Sequence, residues 1–451
     1  MENAAKPPAS VRNRLFIMML LEFFIWGAWL PLIFGYMPAI GFTPGQQSWV
    51  LNAFPIAAIV GMFFSNQFAD RNFSGERFLA FSHLVGGLAM LGLGFTKGFG
   101  PFFVLMLVHC LLYVPTISIT NSIAFASMKD AEKEFGIVRM GGTIGWILAA
   151  WPFTFIFVDW NKVKALAPQG AIAWLKTALG TPLTGQAAID ATKWTYIVAG
   201  IASLALAAFS MTLPHTPPKK AVGGAVQKFA WLEAMSLLKH PFVLILWLVT
   251  FVDSFVHNCY FNWTGRFLGE VGIPENWIMP VMSAGQISEI LTMGVLGVVL
   301  KRMGWRTTMV VGILGHAARF AVYAFFPSQP WMIVTVQVLH GICYAFFFAT
   351  VYIFVDAYFP KDVRNSAQGL FNVMILGIGS LVAGSICPTL FANFTKVAAD
   401  GKSVTDFRSL FLVPCLIALI AAVVLALFFR PPKKEEAATA GSAPQAEGAK
   451  A

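Results

Sequence analysis

The sequence predicts an all-α membrane protein of twelve transmembrane helices, built as two pseudo-symmetric halves of six. Three observations carry that expectation. Of 451 residues, 57% are hydrophobic and only 12% are charged, against about 25% charged in an ordinary soluble chain. The apolar residues fall in long runs along nearly the whole length, and mean hydropathy is +0.71. The basic residues concentrate in alternate breaks between those runs. A soluble enzyme, a disordered or fibrous chain and a single-span receptor are thereby excluded.

A bilayer-crossing helix needs about 20 mostly apolar residues. Twelve runs meet that need: 15–37, 48–69, 78–96, 101–127, 137–158, 194–213, 240–265, 276–300, 307–326, 331–357, 366–392 and 408–429. They are spans 1 to 12 below. Short breaks such as Phe326-Pro327-Ser328-Gln329-Pro330 read as turns. Two longer polar stretches remain, 159–193 and 214–239. The second carries Pro214, Pro217, Pro218, Lys219 and Lys220 and parts six spans from six. The expected organisation is a cytoplasmic N-terminus at 1–14, an N-terminal six-helix bundle at 15–213, a cytoplasmic linker at 214–239, a C-terminal six-helix bundle at 240–429 and a disordered cytoplasmic tail at 430–451, rich in Ala, Glu, Lys and Gly. No secretory signal is expected, because Met1–Arg14 is polar and basic and the run after it is too long for a signal's apolar region.

Orientation follows from the basic residues. With the N-terminus in the cytoplasm, about 20 of the 31 Lys and Arg fall on the cytoplasmic side and about nine on the other, leaving Arg139 and Arg319 inside helices. Both termini are expected in the cytoplasm. The net charge of +10 is then a topology signal, and nucleic acid drops out as a partner. The five cysteines (Cys110, Cys259, Cys343, Cys387, Cys415) lie in apolar stretches with no paired loop spacing, which favours buried thiols over disulfides or a metal site.

The halves resemble each other weakly. The break after span 2 reads Phe68-Ala69-Asp70-Arg71, then Gly75-Glu76-Arg77; the break after span 8 reads Leu300-Lys301-Arg302-Met303-Gly304-Trp305-Arg306. Val138-Arg139 opens span 5, and Val363-Arg364 opens span 11. Basic turns at matching places of a 6+6 repeat are the construction of the major facilitator superfamily.

Ionisable residues deep in spans cost about 2.5–3.5 kcal/mol each on insertion scales, so each needs a reason. They are Glu22, Arg139, Asp253, His257, Glu289, Arg319 and Asp356, with His83, His109, His316 and His340. Glu289 lies mid-span on span 8 with Gln286 three residues earlier on the same face. A titratable carboxylate beside an amide suits a proton-coupled carrier of a polar solute, or only pins helix packing. Asp253 and His257 on span 7 are i,i+4 neighbours, suited to a proton relay or to a self-satisfied buried pair. Arg139 opens a face shared with Thr143 and Trp146; it meets Glu289 or snorkels to the interface. Trp26 and Trp29 flank Gly27-Ala28, and Tyr344 and Phe348 share a face of span 10, where rings stack a flat solute or pack helices. Asp70, Arg71 and Arg77, and separately Asp356 with Arg364, lie at cytoplasmic helix ends and read as gate or turn ion pairs.

From about Leu20 to Phe429 the sequence resembles the nucleoside:proton symporter family of the major facilitator superfamily, the bacterial nucleoside permeases. The segments that carry the likeness are Trp26-Gly27-Ala28-Trp29, Tyr113-Val114-Pro115-Thr116, Arg139-Met140-Gly141-Gly142-Thr143-Ile144-Gly145-Trp146, Leu213-Pro214-His215, Gln286-Ile287-Ser288-Glu289 and Arg364-Asn365-Ser366-Ala367-Gln368-Gly369. The resemblance implies a nucleoside site in the centre of the protein. Matched residue by residue, it comprises Arg139, Thr143 and Trp146 on span 5, Gln286 and Glu289 on span 8, the neighbourhood of Asn258 on span 7, and His340 and Tyr344 on span 10, with Trp26 as a further stacking ring. One departure stands out: where the family carries an acid just after the aromatic of span 10, this chain has Ala345. Either Glu289 or the additional Asp253 then takes over proton coupling, or coupling is lost, or the substrate has changed.

The expected function is a secondary active transporter, not an enzyme. It imports nucleosides with protons across the bacterial inner membrane by alternating access, as a monomer in the lipid bilayer. Proton coupling is expected at Glu289, Asp253 and Arg139. No metal or cofactor is expected, since no phosphate-binding glycine loop and no metal-spaced His/Cys cluster occurs. The alternative is a proton-coupled or facilitative carrier of a sugar or another small polar metabolite.

Overall fold

The structure is a computed structural model. It describes residues 9–61, 73–128, 131–218, 235–359, 361–399 and 403–430, apart from a few side chains near those limits. Spans 1 to 7 comprise Ala9–Ala39, Pro44–Val60, Gly75–Leu93, Phe99–Ser127, Ala131–Ala150, Lys193–Ser210 and Pro241–Glu270. Spans 8 and 9 form one continuous run, Glu275–Phe325, broken only at Gly304. Its φ of 73° is left-handed, which a residue without Cβ adopts freely. Span 10 covers Pro330–Tyr358 and span 12 Phe407–Phe428. Span 11 runs from Lys361–Asn372 through a π-helical turn at Val373–Ile378 to Gly379–Asn393. Span 10 carries a π-helical turn too, at Tyr344–Ala349.

Local chemistry sets the boundaries. Thr43 and Gln46 cap span 2 reciprocally: Gln46 N–H donates to Thr43 Oγ1 at 3.3 Å, and Thr43 N–H donates to Gln46 Oε1 at 2.9 Å. The apolar run 137–158 is not one helix. Span 5 already begins at Ala131 and stops at Ala150, and Pro152, which cannot donate, turns the chain into the short helix Phe153–Ile156. The polar stretch 159–193 folds into Trp160–Ala165, Ala171–Leu179 and Gly185–Ala191 over a small core of Val158, Val163 and Ala178. A hairpin, Thr395–Val397 with Ser403–Thr405, joins spans 11 and 12.

Two large apolar cores fill the molecule. One draws on spans 1 to 6 from Leu15 to Leu213, joined by Met279 of span 8; the other draws on Val243 to Phe429. Without water to expel between helices, close approach is the main source of attraction in a bilayer. Gly145 of span 5 lies against the Leu20 backbone of span 1, and Gly341 of span 10 lies against the Ser288–Glu289 backbone of span 8. A side chain at either place would push the helices apart.

The start of the linker is fastened to span 3 at the end of the bundle where the chain termini lie, called here the terminal end. Glu76 accepts from Thr216 N–H at 3.0 Å and lies 2.7 Å from His215 Nδ1. Burial pushes the Glu76 carboxyl up, but the Thr216 N–H and the His215 ring outweigh it and hold the group below its ordinary value. A depressed carboxyl contributes at neutral pH and loses its contribution as pH falls through the depressed value. Limited proteolysis within 214–218 should therefore start only below about pH 4 in the native protein, and at every pH in Glu76→Gln. Gly145→Val should lower stability by about 1–3 kcal/mol through overpacking, read as a lower Tm in detergent.

Candidate functional site

Spans 1, 5, 7, 8 and 10 meet at the midline. Gly27 faces the Trp146 backbone, where a Cβ would come within 3.1 Å of the Trp146 Cα. That approach brings the Trp26 and Trp146 rings edge to face at 5.2 Å and 81°. Trp26 stacks on Phe54 of span 2 at 4.8 Å. On the other side Trp146 meets Phe261 of span 7 at 6.3 Å, and Phe261 stands edge-on to His340 of span 10 at 5.7 Å. These centroid separations lie in the range where ring pairs attract. The result is a run of rings crossing from one half to the other.

Polar groups border that run. Arg139 lies two turns inside span 5, because the helix starts at Ala131, and its guanidinium sits 4.2 Å above the Phe23 ring. The Gly341 contact seats span 10 directly on the backbone of Glu289. The charge of Arg139 reaches Glu289, and Tyr344 lies within reach of both charges. Glu289, Thr143 and Tyr344 are half-buried. One turn before Glu289, Gln286 is buried and its Oε1 has no hydrogen-bond partner; Trp26 Nε1 likewise has none. An unsatisfied buried polar atom calls for an explanation, and a bound solute is one.

Two residues expected at the same site are committed elsewhere. Asn258 donates to Ser254 O at 2.8 Å and to Ser380 Oγ of span 11 at 3.1 Å, which uses both amide hydrogens. His340 is only 2% exposed and belongs to a second cluster inside the C-terminal half.

That second cluster is organised by Arg319, which has no exposed surface. Its guanidinium donates to His340 Nδ1 at 2.9 Å and to His316 Nδ1 at 3.0 Å, and lies 4.0 Å from the Tyr260 ring centre. Arginine has donors only, so both Nδ1 atoms must accept. A neutral imidazole whose Nδ1 accepts carries its hydrogen on Nε2, and His316 Nε2 points toward Asp253 Oδ2 at 3.7 Å. Both Asp253 carboxylate oxygens lack a hydrogen bond. The i,i+4 pairing of Asp253 with His257 does not form. His257 packs instead between His340, at 5.0 Å, and His316, at 5.6 Å.

Of the expected gate residues, Arg77 and Asp356 are exposed near the terminal end. Asp70 and Arg71, and the Arg364 side chain, lie outside the described residues. Ala345, the second residue of the π-helical turn of span 10, is fully buried, and its carbonyl accepts from Thr350 Oγ1 at 3.1 Å. The hydrogen bonds described between the two halves lie at the end opposite the termini. Arg266 donates to Phe34 O at 2.9 Å, Asn52 to Ser385 Oγ at 2.8 Å, and Asn276 and Trp277 to Leu179 O, each at 3.2 Å. Sequence reasoning missed Phe54 and Phe261, which look like any other ring in an aromatic-rich chain. The pairing of His316 with Arg319 was legible, since i,i+3 spacing sets two costly residues on one face.

A family model described as "Nucleoside H+ symporter" matches residues 9–169 and 159–434. The chain is similar to the "Putative nucleoside transporter YegT" of Escherichia coli, 29% identical over 429 residues and covering 94% of each chain. It is also similar to the "Xanthosine permease" of that organism, 28% identical over 444 residues, with 93% of this chain and 96% of the relative covered. Among solved structures, that of nucleoside transporter NupG superposes with a TM-score of 0.76 at 22% identity, covering 94% of this chain and 100% of that one. A D-xylose-proton symporter superposes with a TM-score of 0.64 at 14% identity, covering 94% and 98%, which shows the shared fold.

Removing Arg319 strips the buried Asp253 of its compensating charge. Arg319→Met should cost about 3–5 kcal/mol, and Asp253→Leu in the same molecule should recover part of that loss. Thermal unfolding of the two single variants and the double variant, compared as a cycle, measures it.

Proposed function

The chain belongs to the nucleoside H+ symporter family of the major facilitator superfamily, and on that premise we propose which residues do the work and where. It is a secondary active transporter that moves nucleosides together with protons by alternating access, and it is not an enzyme. The observation that carries the assignment of the site is the run of rings crossing from one half to the other, bordered by Arg139 whose charge reaches Glu289 and Tyr344, and by a Gln286 amide oxygen without a hydrogen-bond partner.

A nucleoside offers a flat base and a hydroxyl-rich ribose. Trp146, Trp26 and Tyr344 stack the base, with Phe261 as an added wall. Gln286 Oε1 accepts from an N–H or O–H of the solute, while the guanidinium of Arg139 and the Thr143 hydroxyl hold the remaining polar edge. Asn258 and His340 act at one remove, through spans 11 and 9. Glu289 is the principal protonation site: a proton there removes the charge that Arg139 balances, so loading proton and solute changes what the midline must compensate. Asp253 is the compensating acid for the span-10 position occupied by Ala345. Asp70, Arg71, Arg77, Asp356 and Arg364 form and break ion pairs at the terminal end as the halves rock. We assign the protein to the bacterial inner membrane as a multi-pass monomer with both termini in the cytoplasm.

The test is uptake of labelled uridine and adenosine into cells or proteoliposomes, with and without a protonophore. Accumulation should fall at least about tenfold when the proton gradient is collapsed, and by a similar factor in Glu289→Gln. No uptake of any nucleoside would remove the substrate assignment. Gradient-driven uptake that survives in Asp253→Asn, but not in Glu289→Gln, would remove Asp253 from the coupling machinery.

A further inference from the structure

The buried acid of the C-terminal half has a counterpart in the N-terminal half. Asp253, His340 and Tyr344 follow Glu22, His109 and Tyr113 at the same interval of 231 residues, and His316 follows His83 within two residues of that interval. Each half therefore holds a carboxylate on its first span, a histidine on its third, and a histidine and a tyrosine one turn apart on its fourth. Glu22 and His83 are as buried as Asp253 and His316.

The hydrogen-bond inventory of the N-terminal pair fixes where its hydrogens are. Ser203 Oγ of span 6 donates its only hydrogen to the backbone carbonyl of His83 at 2.9 Å. At the 3.0 Å contact between Ser203 Oγ and His83 Nδ1 the hydroxyl must therefore accept, and Nδ1 carries a hydrogen. What remains is the 2.9 Å contact between His83 Nε2 and Glu22 Oε2. That contact holds only with one hydrogen in it, on the acid or on the ring. With none, a carboxylate oxygen and a bare ring nitrogen would oppose each other in a fully buried site. Thr116 Oγ1 lies 2.8 Å from Glu22 Oε1 and 2.5 Å from the Tyr113 carbonyl, so its one hydrogen has two acceptors, and the Tyr113 hydroxyl donates to the Glu22 backbone carbonyl at 2.7 Å. Spans 1, 3, 4 and 6 all converge on this one hydrogen.

The halves differ in how the acid is compensated. In the C-terminal half Arg319 is a permanent cation bonded to both histidines. Its matching place in the N-terminal half is Gly86, whose carbonyl takes the bond from His109 Nδ1 at 3.1 Å. The titratable and charged groups facing the pair are His109, Cys110 and Tyr113 from span 4 and Arg139 from span 5. Arg139 is directed over Phe23 and shared with Glu289, not bonded to Glu22.

We propose that Glu22 and His83 form a second proton-carrying site of this transporter, a single exchangeable proton that ties span 1 to spans 3, 4 and 6. With the proton present the pair is neutral, either as Glu22–COOH facing a bare Nε2 or as Glu22–COO⁻ facing Nε2–H⁺. When the proton leaves to water, no bond breaks other than that O–H or N–H, the pair becomes anionic, and the two side chains part. This inference rests on the reading of the protein as a proton-coupled carrier.

The test compares nucleoside exchange with gradient-driven accumulation in proteoliposomes, using labelled uridine. Glu22→Gln keeps a hydrogen between the side chains but cannot release it. Exchange should persist, while accumulation falls about tenfold and its pH dependence flattens. A pH profile like that of the native protein would overturn the proposal. Should Glu22→Gln lose exchange as well, Ser203→Ala decides: it leaves acid and imidazole in place but removes the acceptor of Nδ1–H. A shifted pH midpoint of uptake supports the proton site, and an unmoved one overturns it. If the native protein takes up no nucleoside, the carrier assignment fails separately. Infrared spectra of purified protein then still decide the site: a protonated-carboxyl or imidazolium band that titrates in the native chain and is missing in Glu22→Gln supports it, and both bands unchanged between the two overturn it.

Discussion

A charge inside a bilayer has no water to lean on, and the interior of this protein is arranged around that constraint. Several of the ionisable groups described in the membrane have an internal partner of a definite kind. Arg319 is held by two imidazoles and a tyrosine ring, Arg139 by the Phe23 ring with Glu289 within reach, and Glu22 by a histidine, a threonine and a tyrosine. Isolated charges at this depth cost several kcal/mol, whereas a compensated pair does not accumulate that cost. The chain carries few such groups because each one commits three or four neighbouring helices to a fixed arrangement. Specificity of packing is obtained at those points, and the apolar remainder of each span follows.

Between those points the helices are held by contact rather than by charge. Gly27, Gly145 and Gly341 allow backbones to touch, and each touch sits one residue or one turn from a functional side chain: Trp26, Trp146 and Glu289. Close packing within a half is thus also what aims the site. Across the halves the interactions are of another type. Hydrogen bonds from Arg266, Asn52, Asn276 and Trp277 to carbonyl or hydroxyl oxygens close the end away from the termini. Bonds of this strength, each about 1–2 kcal/mol or less in a membrane, can be exchanged as the halves rock, while the charged clusters inside each half stay intact. Rigid halves with a weak, polar seam are what alternating access requires.

Much of the fold was legible because hydropathy and turn chemistry act locally. Gly304 between Lys301-Arg302 and Arg306 marks its turn in the sequence alone, and so does the linker that begins at Pro214. Pro152 was legible too, yet the apolar run around it was read through as helix to 158, since hydropathy does not see a missing N–H. The site was legible in part. Arg139, Trp146, Gln286 and Glu289 stood out as costly or specifically spaced groups, and the charge of Arg139 reaches Glu289. Asn258 and His340 stood out equally, but the partners that claim them, Ser380 and Arg319, lie on spans 11 and 9, a pairing that only the three-dimensional arrangement of helices decides. The same holds for Phe261, one of 43 phenylalanines, whose place between Trp146 and His340 no local signal marks.

The two halves descend from one plan yet diverge at one informative place. Arg319 stands where the first half has Gly86, and the consequence runs through both clusters. With a permanent cation, both C-terminal histidines accept at Nδ1 from one guanidinium, and Asp253 lies within reach of that charge. Without one, the N-terminal acid and histidine face each other directly, and on the proposed reading they share a hydrogen. On the proposed reading both halves exchange a proton, at Glu289 in the second and at the Glu22–His83 pair in the first, but only the second carries the permanent cation Arg319 beside its buried acid and histidines. The two halves therefore respond differently to the same change in the medium. That difference is what allows a proton to bias a rocking motion between two bundles of otherwise matching construction.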